Sequence, residues 1–127
     1  MRTLSEWLSW QDTLHFSKID LGLERVRIVA ERLNILKPTF PVITVAGTNG
    51  KGSTVAFLHA ILTAESYRTG VYTTPHITHY NERIAVAGIT ASDTEICQAF
   101  EKIDQARAEI SLTSFEFGTY MVFLPLI

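Results

Sequence analysis

The chain has 127 residues with 46% hydrophobic and 19% charged side chains, the balance of a globular protein with room for one domain rather than of a disordered segment. Its net charge of −2 excludes a protein whose main work is gripping nucleic acid, and a lone cysteine, Cys97, excludes an internal disulfide or a cysteine-based zinc cluster. Met1–Trp7 has no apolar signal core and no stretch approaches the roughly 20 apolar residues that span a bilayer, so the cytoplasm is the expected compartment, with no membrane partner.

The elements follow in an alternating α/β order. Leu4, Trp7, Leu8 and Gln11–Leu14 predict a short amphipathic helix, and Val26, Val29, Ala30 and Leu33 a second helix over Leu23–Leu33. Pro38 and Pro41 close it, and the β-branched run Val42–Ala46 reads as a buried strand. A helix is expected over Thr54–Glu65, with Val55, Leu58, Ile61 and Leu62 on one face. Gly70–Thr73 is the next strand, delivering Thr74-Pro75-His76 at its carboxyl end, and Ile84–Gly88 is a short extended piece with a turn. Ser92-Asp93-Thr94-Glu95 is a capping box opening a helix to about Glu109, and a further helix begins near Ser114 or Phe115. The apolar run Met121–Leu124 is expected to lack a packing partner, and Pro125 stands where that helix would continue.

Chemistry concentrates between the first strand and the helix after it. Gly47-Thr48-Asn49-Gly50-Lys51-Gly52-Ser53 is a glycine-rich turn with one lysine, followed by a hydroxyl residue two positions on. Glycine frees backbone N–H groups to wrap phosphates, the helix start presents partial positive charge, and Lys51 adds a full charge. Ser53 at the helix start is a candidate oxygen for Mg²⁺. The generic P-loop spacing is not met: Val45 occupies the first-glycine position, and Gly52 separates Lys51 from Ser53. An ordinary strand-to-helix turn needs one or two glycines, not three around a lysine. Ligand sites in open α/β sheets lie beyond the carboxyl ends of strands, which groups this loop with Thr74-Pro75-His76.

Gly47–Ser53 resembles the phosphate loop of the Mur-ligase-like amide ligases, and the glycine between lysine and hydroxyl is the form of their folate branch. Asp20-Leu21-Gly22-Leu23-Glu24-Arg25-Val26, Tyr72-Thr73-Thr74-Pro75-His76-Ile77, Asn81-Glu82-Arg83-Ile84 and Ser111–Thr119 agree in order. Together they resemble the bacterial dihydrofolate synthase/folylpolyglutamate synthases, from about Leu4 to Val122. An unrelated P-loop ATPase would need chance matches at both Asp20–Leu23 and Thr113–Thr119.

The resemblance implies an α/β fold, a P-loop Mur-ligase-like ATPase domain with three αβα layers and a mostly parallel sheet, incomplete at the carboxyl end. Residues 1–127 would be the amino-terminal part of that ATP-binding domain. It implies ATP-dependent addition of L-glutamate to dihydropteroate and to folates, through an acyl phosphate, with Mg²⁺ as cofactor and a monomeric parent enzyme. Lys51 would be the catalytic residue, and Gly47, Thr48, Asn49, Gly50, Lys51, Gly52 and Ser53 would bind ATP. Thr74, where relatives more often have Ser, would ligate Mg²⁺ beside Ser53. Asp20, Leu21, Gly22, Thr113, Ser114, Phe115 and Glu116 would contact the pterin. The four histidines, His15, His59, His76 and His79, lack metal-site support and read as isolated or surface residues, except that His76 sits near the site by position without a chemical step. Arg83 either meets an anionic substrate or pairs locally. In relatives a further Mg²⁺-ligating Glu, a His ligand, a modified Lys and a glutamate-binding domain follow. The chain alone is therefore expected to lack ligase activity, and the alternative is a nucleotide-binding remnant.

Overall fold

The computed structural model describes residues 1–15 and 22–124. The helices are α1 (Leu4–Leu14), α2 (Glu24–Arg32), α3 (Lys51–Ala64), α4 (Asp93–Arg107) and α5 (Ser114–Phe123). The strands are β1 (Gly70–Tyr72), β2 (Ile84–Val86) and β3 (Ile89–Thr90), with a 3₁₀ turn at Tyr80–Arg83. Among the described residues, contacts form two units, one within 1–39 and 92–124 and the other within 40–91.

The first unit is helical. Thr3, Ser92 and Thr113 open α1, α4 and α5, each with a side-chain oxygen accepting from the N–H three residues on. Glu6, Glu95 and Glu116 reach back to close the capping boxes, satisfying donors a helix start otherwise leaves open. Edge-to-face ring contacts tie the helices together: Trp10 meets Phe117 at 6.0 Å and Phe100 meets Phe117 at 5.9 Å between centroids. Ile96, Ile103, Leu112, Met121 and Val29 are buried with Phe100 and Phe117. The Tyr120 hydroxyl donates to the Val26 carbonyl at 2.9 Å, pinning α5 to α2, and burial pushes that phenol above its ordinary pKa. Met121 is therefore core, and Val122–Leu124 are half-buried. The expectation of an unpartnered terminal run is corrected by α4 and α1, against which α5 packs. Pro125 lies outside the described residues.

In the second unit β2 is central, antiparallel to β1 (Tyr72 opposite Ile84) and to β3 (Val86 opposite Ile89). The two-residue turn Ala87-Gly88 has positive φ at both positions, 52° and 78°, which matches the twist of a tight hairpin. The mostly parallel sheet expected from the sequence is thus not what the described strands form. A two-residue turn can join only antiparallel neighbours, whereas parallel pairing needs a crossover of a dozen or more residues. Val42–Ala46 is likewise not a buried strand: it pairs with none of β1–β3, and Val42 and Ile43 are 52% and 61% exposed. An apolar β-branched run becomes a strand only where a neighbour supplies ladder partners. α3 starts at Lys51 rather than Thr54 and buries no residue fully; Val55, Leu58 and Leu62 form its half-buried face, while Ile61 faces out with Phe57.

Candidate functional site

Of the residues expected to hold phosphate, Gly50–Ser53 form the start of α3, and Lys51 ties Gly47 to it. Gly50 is the N-cap in the left-handed region at φ 75°, and no side chain caps the helix. A side chain there would find space but not an accessible backbone, so glycine is required for conformation. No acidic residue occupies the first turn, in contrast to α1, α4 and α5. The amides of Lys51, Gly52 and Ser53 therefore face an unneutralised helix dipole. Thr54 Oγ1 is committed to the Gly50 carbonyl at 2.9 Å, whereas the Ser53 hydroxyl is exposed and engaged by no described residue. Lys51 Nζ is exposed and donates to the Gly47 carbonyl. This cluster can receive an anion with several oxygens.

Thr74 belongs to the same unit. A cavity of about 410 Å³ is lined by Gly52, Val55 and His59 of α3 and by Thr73, Thr74 and Pro75 after β1. Gly52 of the loop and Thr74 thus both line this cavity. The Thr74 hydroxyl is exposed and unengaged among the described residues. His59, read from sequence as isolated or surface, is half-buried on this cavity with Nε2 unpartnered. His76 accepts at Nδ1 from Arg83 Nε (2.9 Å), so Arg83 pairs locally, and its guanidinium lies 4.9 Å from the centre of the Tyr80 ring. Among the described residues no group of three or more His, Cys, Asp or Glu is placed to hold a metal ion, and no helix is long and apolar enough to cross a membrane.

Among the described residues Glu82 is a strongly perturbed carboxylate. It accepts N–H bonds from His79 (2.8 Å), Ile77 (3.0 Å) and Thr78 (2.9 Å), which hold its pKa down at about 2. The folded value lies below the ordinary 4.5, so its contribution to the order of this turn is complete above that pH and is lost as pH falls through about 2. In a pH titration by NMR the amides of Ile77, Thr78 and His79 are expected to stay fixed through pH 4 and shift together only near 2. A midpoint near 4.5 would mean that the carboxylate is not bound.

The residues expected at the pterin lie in the helical unit. Arg25, three residues after Gly22, donates to the Ser111 carbonyl at 2.6 Å and grips the Glu116 carboxylate at 2.8 and 3.1 Å. That draws the start of α2 onto Thr113–Glu116. Thr113 is the buried N-cap, Ser114 donates to Asp12 at 2.8 Å, and Phe115 stands 65% exposed. His15, expected to be isolated or at the surface, is instead buried with Nδ1 2.7 Å from Ser111 Oγ, supporting the same segment. Asp20 and Leu21 lie outside the described residues. Arg25 and His15 were not readable as part of this cluster, because their partners lie 86 and 96 positions away.

Comparison with known proteins finds relatives with one kind of name. The dihydrofolate synthase/folylpolyglutamate synthase of Escherichia coli K12 is 51% identical over 116 residues, 91% of this chain and 28% of the relative. That of Haemophilus influenzae is 47% identical over 116 residues, 91% of this chain and 26% of its own length. Over that stretch the chain is similar to the dihydrofolate synthase/folylpolyglutamate synthases. No protein-family model matches the chain. The solved E. coli enzyme in complex with DHPP and ADP superposes with a TM-score of 0.92 at 48% identity, covering 96% of this chain and 30% of that one. A Yersinia pestis bifunctional folylpolyglutamate synthase/dihydrofolate synthase complexed with AMPPNP and Mn ion also gives 0.92, at 47% identity and 98% and 30% coverage. The α/β, Mur-ligase-like fold class expected from the sequence holds on these superpositions. The chain spans under a third of the length of the dihydrofolate synthase/folylpolyglutamate synthases it matches.

Proposed function

We propose that the chain is the amino-terminal part of the ATP-binding domain of an amide ligase that joins L-glutamate to dihydropteroate and to folates. The observation that carries this is the uncapped, acid-free helix start at Gly50–Ser53 with Lys51 beside it. It lies within a stretch shared with enzymes named for that reaction and solved with ADP or AMPPNP. The amides of Gly50–Ser53, with Gly47, Thr48 and Asn49, hold the phosphates. Lys51 exchanges the Gly47 carbonyl for a phosphate oxygen and stabilises charge as the γ-phosphoryl passes to the substrate carboxylate. The acyl phosphate so formed is attacked by the glutamate amine, and phosphate leaves.

The donor chemistry fits a hard divalent cation: Ser53 and Thr74 each offer an exposed, unengaged hydroxyl oxygen, and Mg²⁺ takes its remaining oxygens from phosphate and water. When bound, such an ion neutralises phosphate charge. In the helical unit Phe115 offers its exposed ring as a stacking face for a pterin, and we assign Asp20, Leu21, Gly22, Thr113, Ser114 and Glu116 to the same substrate. We assign glutamate recognition to the part of the relatives this chain does not span, and a cytoplasmic, monomeric setting to the whole enzyme.

Calorimetric titration of the chain with AMPPNP, with and without Mg²⁺, tests the nucleotide site; absence of binding at millimolar nucleotide would overturn it. The second reading is a nucleotide-binding protein without ligase turnover, for which the helix start at Gly50–Ser53 with Lys51 would suffice. ADP release by the whole enzyme that carries this stretch, dependent on both dihydropteroate and L-glutamate, supports the ligase, whereas nucleotide binding without such turnover in that whole enzyme supports the second reading.

A further inference from the structure

Two consecutive residues, Glu82 and Arg83, hold both flanks of Thr74-Pro75. On the near side the Arg83 carbonyl accepts from Thr73 N at 2.9 Å, extending the β1–β2 ladder by one bond. On the far side Arg83 Nε donates to His76 Nδ1 at 2.9 Å. Glu82 then takes the N–H groups of Ile77, Thr78 and His79. Arg83 is itself steadied over the Tyr80 ring, whose edge His76 meets at 5.8 Å between centroids. Backbone and side chain are thus fixed immediately before and after Thr74, while the Thr74 hydroxyl stays exposed and unengaged. A turn that merely ended a strand would not need a carboxylate on three successive amides and a guanidinium on the preceding residue's side chain.

We infer that Glu82 and Arg83 are positioning residues, which fix the Thr74 hydroxyl as an oxygen ligand for a divalent cation carried by a nucleoside triphosphate. The inference rests on the proposed role of Thr74 and deepens it: the accuracy of that ligand comes from the Glu82-Arg83 pair eight and nine positions later in the sequence. Groups that orient a metal ligand are worth about 10–100-fold in metal affinity when removed, without touching the ion.

The test measures AMPPNP affinity of the 127-residue chain in Mn²⁺ and in EDTA, and takes the ratio as the metal enhancement. Thr74→Val and Arg83→Gln are each expected to cut that ratio about 10-fold while leaving the EDTA affinity within about twofold. The double variant should lose no more than either single one, because both act through the same oxygen. Glu82→Gln should follow Arg83→Gln, and Arg83→Lys, which keeps a donor for His76, should recover part of the ratio and guards against simple unfolding. If Thr74→Val removes the enhancement while Arg83→Gln and Glu82→Gln leave it intact, the positioning role is wrong and the Thr74 ligand stands. If Thr74→Val has no effect, or the wild-type chain shows no enhancement, both fall. Additive losses, or equal losses in EDTA, would mean general support of the nucleotide site and overturn the inference.

Discussion

Replacing Glu116 with alanine is expected to destabilise the helical unit by about 3 kcal/mol, the lower end for breaking a buried ion pair. Its side chain is 6% exposed and that of Arg25 24%. Oε1 accepts from Arg25 Nη2, and Oε2 accepts from Arg25 Nη1 and from the Thr113 amide, so both oxygens are spent inside the protein. Alanine removes the charge partner, leaves Arg25 with only the Ser111 carbonyl among these contacts, and opens the α5 capping box. Glu116→Gln keeps an acceptor for Thr113 and should cost less. Urea unfolding followed by tryptophan fluorescence reads this unit, because Trp7 and Trp10 are the chain's two tryptophans and both sit on α1. A loss below about 1 kcal/mol would place the pair among ordinary surface ion pairs and sink the argument. The result also bears on the pterin: Glu116 builds the segment that presents Phe115, so a loss of pterin binding in the alanine variant must be read against its stability.

Lys51→Ala is expected to weaken AMPPNP binding about 100-fold, equivalent to about 2.7 kcal/mol. A charge pair at 4 Å near a protein surface is worth about 4 kcal/mol before screening and before the bond Lys51 gives up to Gly47. Because Lys51 is exposed, folding stability should change by less than about 0.5 kcal/mol, so the loss of affinity is not a loss of fold. Lys51→Arg keeps the charge but presents it as a planar fork, and should recover only part. A change below about threefold for Lys51→Ala on calorimetry would leave the loop a structural turn.

What could be read in advance was local. The Ser92–Glu95 capping box announces α4 because every partner lies within one turn, and β1 and β2 follow from short β-branched runs. Thr113 and Glu116 carry the same capping pattern, yet as candidate pterin contacts they hid it, and the bond from Arg25 to Glu116 links residues 91 apart. Val42–Ala46 has strand chemistry but no ladder partner among β1–β3, which no local pattern could disclose. β3, two residues long, is below what periodicity can resolve. In the loop, residue types gave the glycines and the lysine their roles, but not the helix start at Lys51, which depends on the left-handed Gly50. The Glu82-Arg83 bracket was out of reach because a charged pair beside a strand reads as solvated surface.

α3 carries the proposed phosphate loop with no residue fully buried, and Phe57 and Ile61 are 72% and 60% exposed. Such a helix opens locally at little cost, whereas α4 and α5, with Phe100 and Phe117 sealed, open only with the whole helical unit. Amide hydrogen exchange should therefore proceed at two tempos, quick along Lys51–Ala64 and slow along Asp93–Arg107. A nucleotide that binds only the ordered loop would then act as the missing clamp on α3, slowing its exchange with ligand concentration while leaving α4 unchanged.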